Sequence, residues 1–230
     1  MKLIDVIIPA YNEAGSIGKV IQALPRTVRE VVVVNNNSTD TTQEEAQKCG
    51  ATVLFEEKKG YGHACLKAMD YLEKKEVEPD IVVFLDGDYS DYPEELPKLI
   101  DPILEGKAVF VVGARLKHFR EPGAMTPAQV FGNGLAAVLM KIMYGAKFTG
   151  LGPFRAITYD ALMGLNMEDK TYGWTVEMQL KVLKKKMPYA EVPVKYRKRS
   201  AGFSKVSGTV KGSVMAGIKI IGWIFKYSFK

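Results

Sequence analysis

The sequence predicts an α/β protein: a Rossmann-like, mostly parallel central sheet flanked by helices, followed by a C-terminal amphipathic helix. Three observations predict it. Short apolar runs alternate with helix-patterned segments over residues 3–114, as in a doubly wound parallel sheet. The polar segments after those runs would gather on one edge, where open α/β sheets bind ligands. The fourth run, Ile81-Val82-Val83-Phe84-Leu85, ends abruptly in Asp86-Gly87-Asp88, so a strand buried on both faces delivers two carboxylates to that edge.

The elements follow in order. Residues 3–8 read as a strand, with Pro9-Ala10-Tyr11-Asn12-Glu13 as the loop after it. Ser16 is a capping residue type and precedes a helix over 17–24. Residues 30–34 are a second strand, followed by Asn35-Asn36-Asn37-Ser38-Thr39-Asp40. A helix over 41–50 has Gly50 past its end, and 52–56 is a short third strand. Gly60-Tyr61-Gly62 opens a helix over 63–75, with Ala64, Leu66, Met69 and Leu72 as its buried face. After the fourth strand come a helix over 93–105 and a fifth strand over 108–114. The second half is less regular. It holds a helix over 127–144, a loop and short strand over 150–158, a helix over 175–186 and a late strand over 190–196. A basic loop over 197–205 then leads to a helical pattern over 206–230.

Composition narrows the function classes. The chain has 230 residues, 47% hydrophobic and 25% charged, which suits one sizeable soluble domain. A net charge of +6 favours anionic partners: nucleotide, phosphate, an anionic membrane surface or nucleic acid. No recognised nucleic-acid module is present, so nucleic acid is not expected. Cys49 and Cys65 have no CxxC spacing, which argues against a disulfide framework or zinc site and for a reducing compartment. Residues 3–9 contain Asp5 and end at a proline, unlike a signal peptide. No apolar run approaches the roughly 18 residues of a spanning helix. A cytoplasmic protein, peripheral on a membrane at most, is expected, and a homo-oligomer is left open.

Each strand-end segment has a plain reading and a chemical one. Pro9 to Glu13 suits an ordinary turn, yet Tyr11 could stack on a base and Glu13 accept from ribose hydroxyls. Asn35 to Asp40 suits turns and caps, yet the Asn36 amide could read a base edge. Lys58-Lys59-Gly60-Tyr61-Gly62 is neither a Walker loop nor GxGxxG, but its glycines admit close backbone approach at a helix N-terminus that attracts anions. Asp86-Gly87-Asp88 fails as an EF-hand, because the sixth loop position is Asp91 and the twelfth Pro97. Two such carboxylates are suited to a divalent metal beside a diphosphate. A dinucleotide oxidoreductase would need GxGxxG after the first strand, which this chain lacks.

Taken together, these segments resemble the inverting family 2 glycosyltransferases of GT-A fold. The likeness rests on Val6-Ile7-Ile8-Pro9-Ala10-Tyr11-Asn12-Glu13, Asn35 to Asp40, Lys59-Gly60-Tyr61-Gly62 and Asp86-Gly87-Asp88. Within that family the chain is most similar to the dolichol- and polyprenyl-phosphate sugar synthases. The carrying residues are Thr149-Gly150-Leu151-Gly152-Pro153-Phe154-Arg155-Ala156-Ile157, Glu177, Glu191-Val192-Pro193-Val194 and Arg199-Ser200-Ala201-Gly202-Phe203-Ser204-Lys205. The resemblance implies Mg²⁺ or Mn²⁺ on Asp86 and Asp88. It implies a nucleotide-sugar site on Pro9, Tyr11, Glu13, Asn36, Lys59, Gly60, Asp86 and Gly87, and catalytic roles for Asp88, Arg155 and Glu177. Arg155, Arg197, Arg199, Ser204 and Lys205 would contact phosphate of donor or acceptor. Residues 1–205 would form one catalytic domain, with a nucleotide-sugar half (1–114) and an acceptor half (115–205), and 206–230 an appended helix.

Departures refine the expectation. Asn35 and Asn36 stand where the family usually has aspartates, and an amide matches uracil better than guanine, so a UDP-sugar is favoured over GDP-mannose. Ser90 stands where some members place a longer metal-binding amide, and the Gln-x-x-Arg-Trp pattern of processive synthases is absent. An alcohol acceptor would need a general base, for which Glu177 is the candidate. A lipid phosphate is already ionised and needs cations instead. Transfer to a polyprenyl or dolichyl phosphate is thus expected, the alternatives being a soluble or protein-linked acceptor, or a non-catalytic nucleotide-sugar-binding module. At 100° per residue, Val210, Val214, Ile218, Ile221 and Phe225 share a face opposite Lys211, Lys219, Lys226 and Lys230. With Trp223, that pattern suits an anionic bilayer surface or a helix packed on the domain.

Overall fold

The computed structural model describes residues 2–202 and 210–228. Seven strands form one sheet: β1 (Ile4–Ala10), β2 (Val28–Asn35), β3 (Thr52–Phe55), β4 (Ile81–Phe84), β5 (Phe110–Ala114), β6 (Arg155–Thr158) and β7 (Tyr189–Pro193). Their spatial order is β3-β2-β1-β4-β6-β5-β7. β1 to β4 run parallel. The chain winds outward from β1 to β3 and then crosses back to β4. A crevice therefore opens at the carboxyl ends of β1 and β4, where the winding reverses.

The helices are α1 (Ile17–Gln22), α2 (Thr42–Lys48), α3 (Tyr61–Glu73), α4 (Leu96–Leu104), α5 (Pro127–Tyr144), α6 (Tyr159–Gly164), α7 (Trp174–Lys184) and α8 (Val210–Ser228). They cover both faces of the sheet. In β4, Val82 and Phe84 belong to one core layer and Ile81 and Val83 to the other. That is why the run before Asp86 shows no apolar–polar alternation. Ile17, Val20, Ala46, Leu96 and Leu99 complete one layer, and Ala64, Leu72, Met140, Leu162, Leu180 and Ile224 the other.

The second half departs from a purely parallel sheet. β6 is antiparallel to both neighbours, β4 and β5, while β7 pairs parallel with β5. The register sets Arg155 opposite Phe84 and Val112, so β6 carries Arg155 beside the carboxyl end of β4. α6 occupies a stretch where the sequence pattern indicated no element. α5 spans the expected residues because its ends are encoded: Thr126 and Gln129 form a reciprocal capping box, and Gly145 closes it at φ 65°.

α8 packs against α5 and α7, burying Trp223 and Ile224. The expected division of its faces is only partly met. Lys219, placed on the basic outward face, turns inward and pairs with the buried carboxylate of Asp169 at 2.9 Å. Ile218 and Phe225, from the expected apolar face, remain 62% and 44% exposed. A buried carboxylate needs a cation, and that need decides the rotation of the helix. Among the described residues, no helix is long and apolar enough to cross a membrane.

Candidate active site

Four loops meet at the crevice and enclose a cavity of about 380 Å³. The end of β1 contributes Pro9, Ala10, Tyr11 and Glu13, and the loop after β2 contributes Asn36. The start of α3 contributes Lys59, Gly60 and Tyr61, and the end of β4 contributes Asp86, Gly87 and Asp88. Tyr172, from the turn before α7, lines the remaining wall. All eight residues expected to hold a nucleotide sugar, with Asp88, are therefore in one place. Ala10, Tyr61 and Tyr172 are additions. Tyr61 lies inside the quoted glycine loop, whereas nothing local in the sequence singles out Tyr172.

Glycines bring the backbone this close. A Cβ on Gly60 would come within 2.2 Å of the Lys170 carbonyl oxygen, and one on Gly62 within 1.9 Å of that of Asp169. Gly60 also holds φ 148°, a conformation that disfavours a side chain. The Lys59 ammonium donates to the Tyr11 hydroxyl (3.0 Å) and lies 4.7 Å from the centre of its ring. One cation therefore stands at the mouth of α3.

The two carboxylates differ. Oδ1 of Asp86 is buried and has no hydrogen-bond partner among the described residues. Burial, and then the charge of Asp88, push its carboxyl up to about 7, against the pull of Arg115. Asp88 is more open: its Oδ1 accepts from Ser90 N–H (2.9 Å), and Arg199 lies 3.8 Å from its Oδ2. The turn between them and Ser90 is strained, with Tyr89 at φ 62°. An orphaned buried carboxylate oxygen beside a second carboxylate fits a divalent cation. Among the described residues no three His, Cys, Asp or Glu side chains converge on a metal position, so a ligand or water would have to complete the shell.

Several expected roles need correction. Glu177 is fully buried in α7. Its two oxygens accept from the N–H groups of Glu168 (2.9 Å) and Asp169 (2.8 Å), and Lys181 pairs with it at 2.8 Å. It holds the turn before α7 and reaches no cavity, so it is not placed as a general base. Arg155 is also fully buried. It donates to the carbonyls of Gly152 (3.0 Å) and Thr175 (2.9 Å). Burial lowers its pKa to about 10, while the neighbouring Tyr61 and Asp86 hold it up. It is a buried cation whose charge is felt by Asp86 rather than an exposed phosphate ligand. The Arg197 guanidinium lies 3.7 Å from the ring centres of both Tyr89 and Tyr92 and bonds the Asp91 carbonyl at 3.2 Å, which fastens the strained turn. Arg199 does not line the cavity but pairs with Glu13 and lies 3.8 Å from Asp88, which do. Ser204 and Lys205 lie outside the described residues.

Asn36 is the remaining correction. Its amide donates to the carbonyls of Glu56 (3.2 Å) and Lys58 (2.8 Å), and its oxygen accepts from Gly60 N–H at 2.8 Å. Both donors are committed to the loop before α3, so the amide is not free to read uracil. Asn36→Asp should therefore cost about 2 kcal/mol of stability, because a carboxylate would face two carbonyls. It should weaken UDP and GDP binding alike. Titration with both nucleotides checks this, and a more than tenfold change in their ratio would restore the base-reading role.

A second cavity, of about 240 Å³, opens at the carboxyl end of β5. Arg115, Lys117 and Arg120 line it, together with Val130 and Asn133 of α5, Thr149 and Glu191. Arg115 donates to Asn133 Oδ1 at 3.4 Å and lies 4.9 Å from the centre of the Tyr196 ring. Its charge also acts on Asp86 and on Asp91, so it links the second cavity electrostatically to the acidic pair. Asp91 is buried with neither oxygen partnered among the described residues, and burial, then Asp86, push its carboxyl well up. The three cations were missed in the sequence. Their signal was the one used elsewhere: a polar segment directly after an apolar strand.

The order of these segments is matched along the chain as well. Glycosyl transferase family 2 matches residues 5–165. The chain belongs to this family. The dolichyl-phosphate hexose transferase of Haloferax volcanii is 33% identical over 91% of this chain and 89% of its own length. Glycosyltransferase AglJ of the same organism is 30% identical over 86% of this chain. The chain spans only 64% of the length of AglJ. A solved structure of Mycobacterium tuberculosis glucosyl-3-phosphoglycerate synthase, in complex with Mn²⁺, UDP-glucose and phosphoglyceric acid, superposes with a TM-score of 0.76. It is 21% identical, over 97% of this chain and 80% of that one, and shows the shared GT-A-like fold. As a family 2 glycosyltransferase, the chain has its cavity at the switch point of the sheet and its acidic pair at the end of β4.

Proposed function

We propose that this glycosyltransferase moves a sugar, with inversion, from a nucleotide-diphosphate sugar to a phosphate-bearing lipid. The observation that carries the reading is the cation-lined cavity of Arg115, Lys117 and Arg120 beside the Asp86–Asp88 cavity. Asp86 and Asp88 would hold Mg²⁺ or Mn²⁺, which when bound neutralises the diphosphate leaving group as a Lewis acid. Gly60 and Gly62 let the start of α3 close on the carbonyls of Lys170 and Asp169, which fixes the wall that would face the donor. Arg199, tethered to Glu13, adds positive charge beside Asp88. On the other side Arg115 orients an anionic acceptor toward the sugar. With Glu177 committed to backbone N–H groups, an acceptor that arrives ionised suits the site better than an alcohol that must lose a proton.

A lipid acceptor is supported by the surface of α5. Val130 lines the cationic cavity, and on the same helix Phe131 and Ile142 are 72% and 75% exposed, with Val138 beside them. An apolar ridge next to a phosphate-sized cationic cavity suits an acceptor whose chain lies in a bilayer. The name of the dolichyl-phosphate hexose transferase relative is in line with this.

The test is nucleotide diphosphate release with Mn²⁺ and a panel of UDP- and GDP-sugars, with and without polyprenyl phosphate. Turnover that depends on the lipid phosphate is expected. Its absence with every donor overturns the reading, and equal turnover with a soluble phosphate ester moves it to a soluble acceptor. The double variant Phe131→Glu/Ile142→Glu should sediment less with anionic vesicles and raise the apparent KM for lipid several-fold, with nucleotide binding unchanged.

A further inference from the structure

The buried polar cluster around Asp169 has no part in the chemistry above, yet it joins the far C-terminal helix to the donor cavity. Trp223 of α8 donates its indole N–H to Asp169 Oδ2 at 2.7 Å, and Lys219, one turn earlier, pairs with the same oxygen at 2.9 Å. Lys219 also bonds the Thr171 hydroxyl. The other oxygen, Oδ1, accepts from the N–H groups of Thr171 (2.7 Å) and Gly173 (3.0 Å). Asp169 is thus the hub of the turn that runs from Asp169 to Gly173. Gly173 is the only residue type that fits there: a Cβ would come within 2.3 Å of the Trp223 nitrogen and 2.5 Å of Asp169 Oδ2.

The same turn presses on the donor cavity. The carbonyls of Thr171 and Lys170 accept from Gly62 N–H (3.2 Å) and His63 N–H (3.0 Å), the first turn of α3. Between the hub and those carbonyls, Tyr172 projects as the cavity wall. Glu177 and Lys181 brace the turn from beneath.

We propose that α8 is a strut for the donor site, with Trp223 and Lys219 acting through Asp169 as positioning residues that set Tyr172 and the start of α3. The inference rests on the nucleotide-sugar reading of that cavity. It gives the helix a role in donor affinity that is separate from any contact with a membrane. None of the three residues lines the cavity, so each acts through the turn.

The test uses the full chain and three variants. Trp223→Phe keeps an aromatic ring beside Tyr227 (5.3 Å between ring centres in the unaltered protein) and deletes the N–H together with part of the buried ring. Asp169→Asn keeps the shape and removes the charge. Tyr144→Phe removes a bond from the Tyr144 hydroxyl to the Ile224 carbonyl (3.3 Å) and serves as a control that loosens α8 without touching Asp169. Trp223→Phe and Asp169→Asn should raise the Kd for UDP or GDP, measured with Mn²⁺, about five- to tenfold, the scale of one buried hydrogen bond. KM for the sugar donor should rise with it, while kcat changes less than twofold. In the absence of nucleotide, amide exchange at Gly62 and His63 should quicken about five- to tenfold in both variants and stay unchanged in Tyr144→Phe. Unchanged exchange at those amides, or a uniform change in all three variants, overturns the proposal. If the unaltered protein binds neither nucleotide, the donor reading fails instead, and the exchange result still decides the strut.

Discussion

Asp86→Asn is expected to lower turnover by about 10³-fold or more and, in the absence of metal, to make the protein more stable at neutral pH. The two effects share one cause. The carboxylate is buried with an unpartnered oxygen, and Asp88 adds a second negative charge beside it. An amide of the same shape carries no charge, so the burial penalty falls to that of a neutral polar group. With it goes the affinity for a divalent cation, whose charge stabilisation is worth several kcal/mol, at about 1.36 kcal/mol per tenfold in rate. The pH dependence follows. The folded carboxyl titrates at about 7, above the roughly 3.9 of an unfolded aspartate. Over that interval the native state keeps a proton that the unfolded chain has lost. The stability from this group is therefore full below about pH 4 and falls as pH rises to about 7. Melting of the metal-free protein between pH 5 and 8 should show that decline, and Asp86→Asn should flatten it. Asp88→Asn should lose turnover to a similar extent without stabilising the protein, since Asp88 already has Ser90 N–H and Arg199. A variant at Asp86 that retains a tenth of the turnover, or an unchanged Mn²⁺ titration, would sink the assignment.

The parts of the site that could be read from the sequence share one property: they lie within a few residues of a strand end. Pro9 to Glu13, Asn36, Lys59-Gly60 and Asp86 to Asp88 each follow an apolar run, and sheet topology alone brings those ends together. What could not be read depends on partners far along the chain. Glu177 was the candidate general base, but the turn at Glu168 and Asp169 uses both its oxygens. Its Lys181 partner, four residues on, was the available hint of an ion pair. Arg155 sits between Phe154 and Ala156-Ile157 in an apolar run, which fits a buried arginine better than a phosphate ligand. Arg115, Lys117 and Arg120 were not singled out, because Thr149 and Glu191, which line the same cavity, come from later elements. The antiparallel β6 and the short α6 escaped for the same reason. Four-residue and six-residue elements carry too little periodicity to declare a direction or a face.

Arg155 yields the largest expected change in stability, and it separates a buried countercharge from a substrate ligand. Arg155→Met should cost about 3–5 kcal/mol, since two buried carbonyls lose charged donors at roughly 1.5–3 kcal/mol each, and lower Tm by about 10 °C or more for a chain of this size. Two losses add up. The carbonyls of Gly152 and Thr175 lose their donors, and the attraction between the guanidinium and Asp86 is lost. Arg155→Lys restores the charge but cannot span both carbonyls with one ammonium group, so it should fall between the two. The double variant Arg155→Met/Asp86→Asn supplies the discriminating measurement. If the guanidinium balances Asp86, removing the acid relieves part of the damage, and the double variant should be more stable than the sum of the single effects by about 1–2 kcal/mol. A phosphate ligand behaves otherwise: Arg155→Met would then keep its Tm within about 2 °C and raise only the KM for donor or acceptor. Strict additivity with Asp86→Asn would equally remove the countercharge role. Because Arg155 is held by β6 opposite Phe84, the last residue of β4, the antiparallel strand that interrupts the parallel sheet is also what brings a positive charge within electrostatic reach of Asp86.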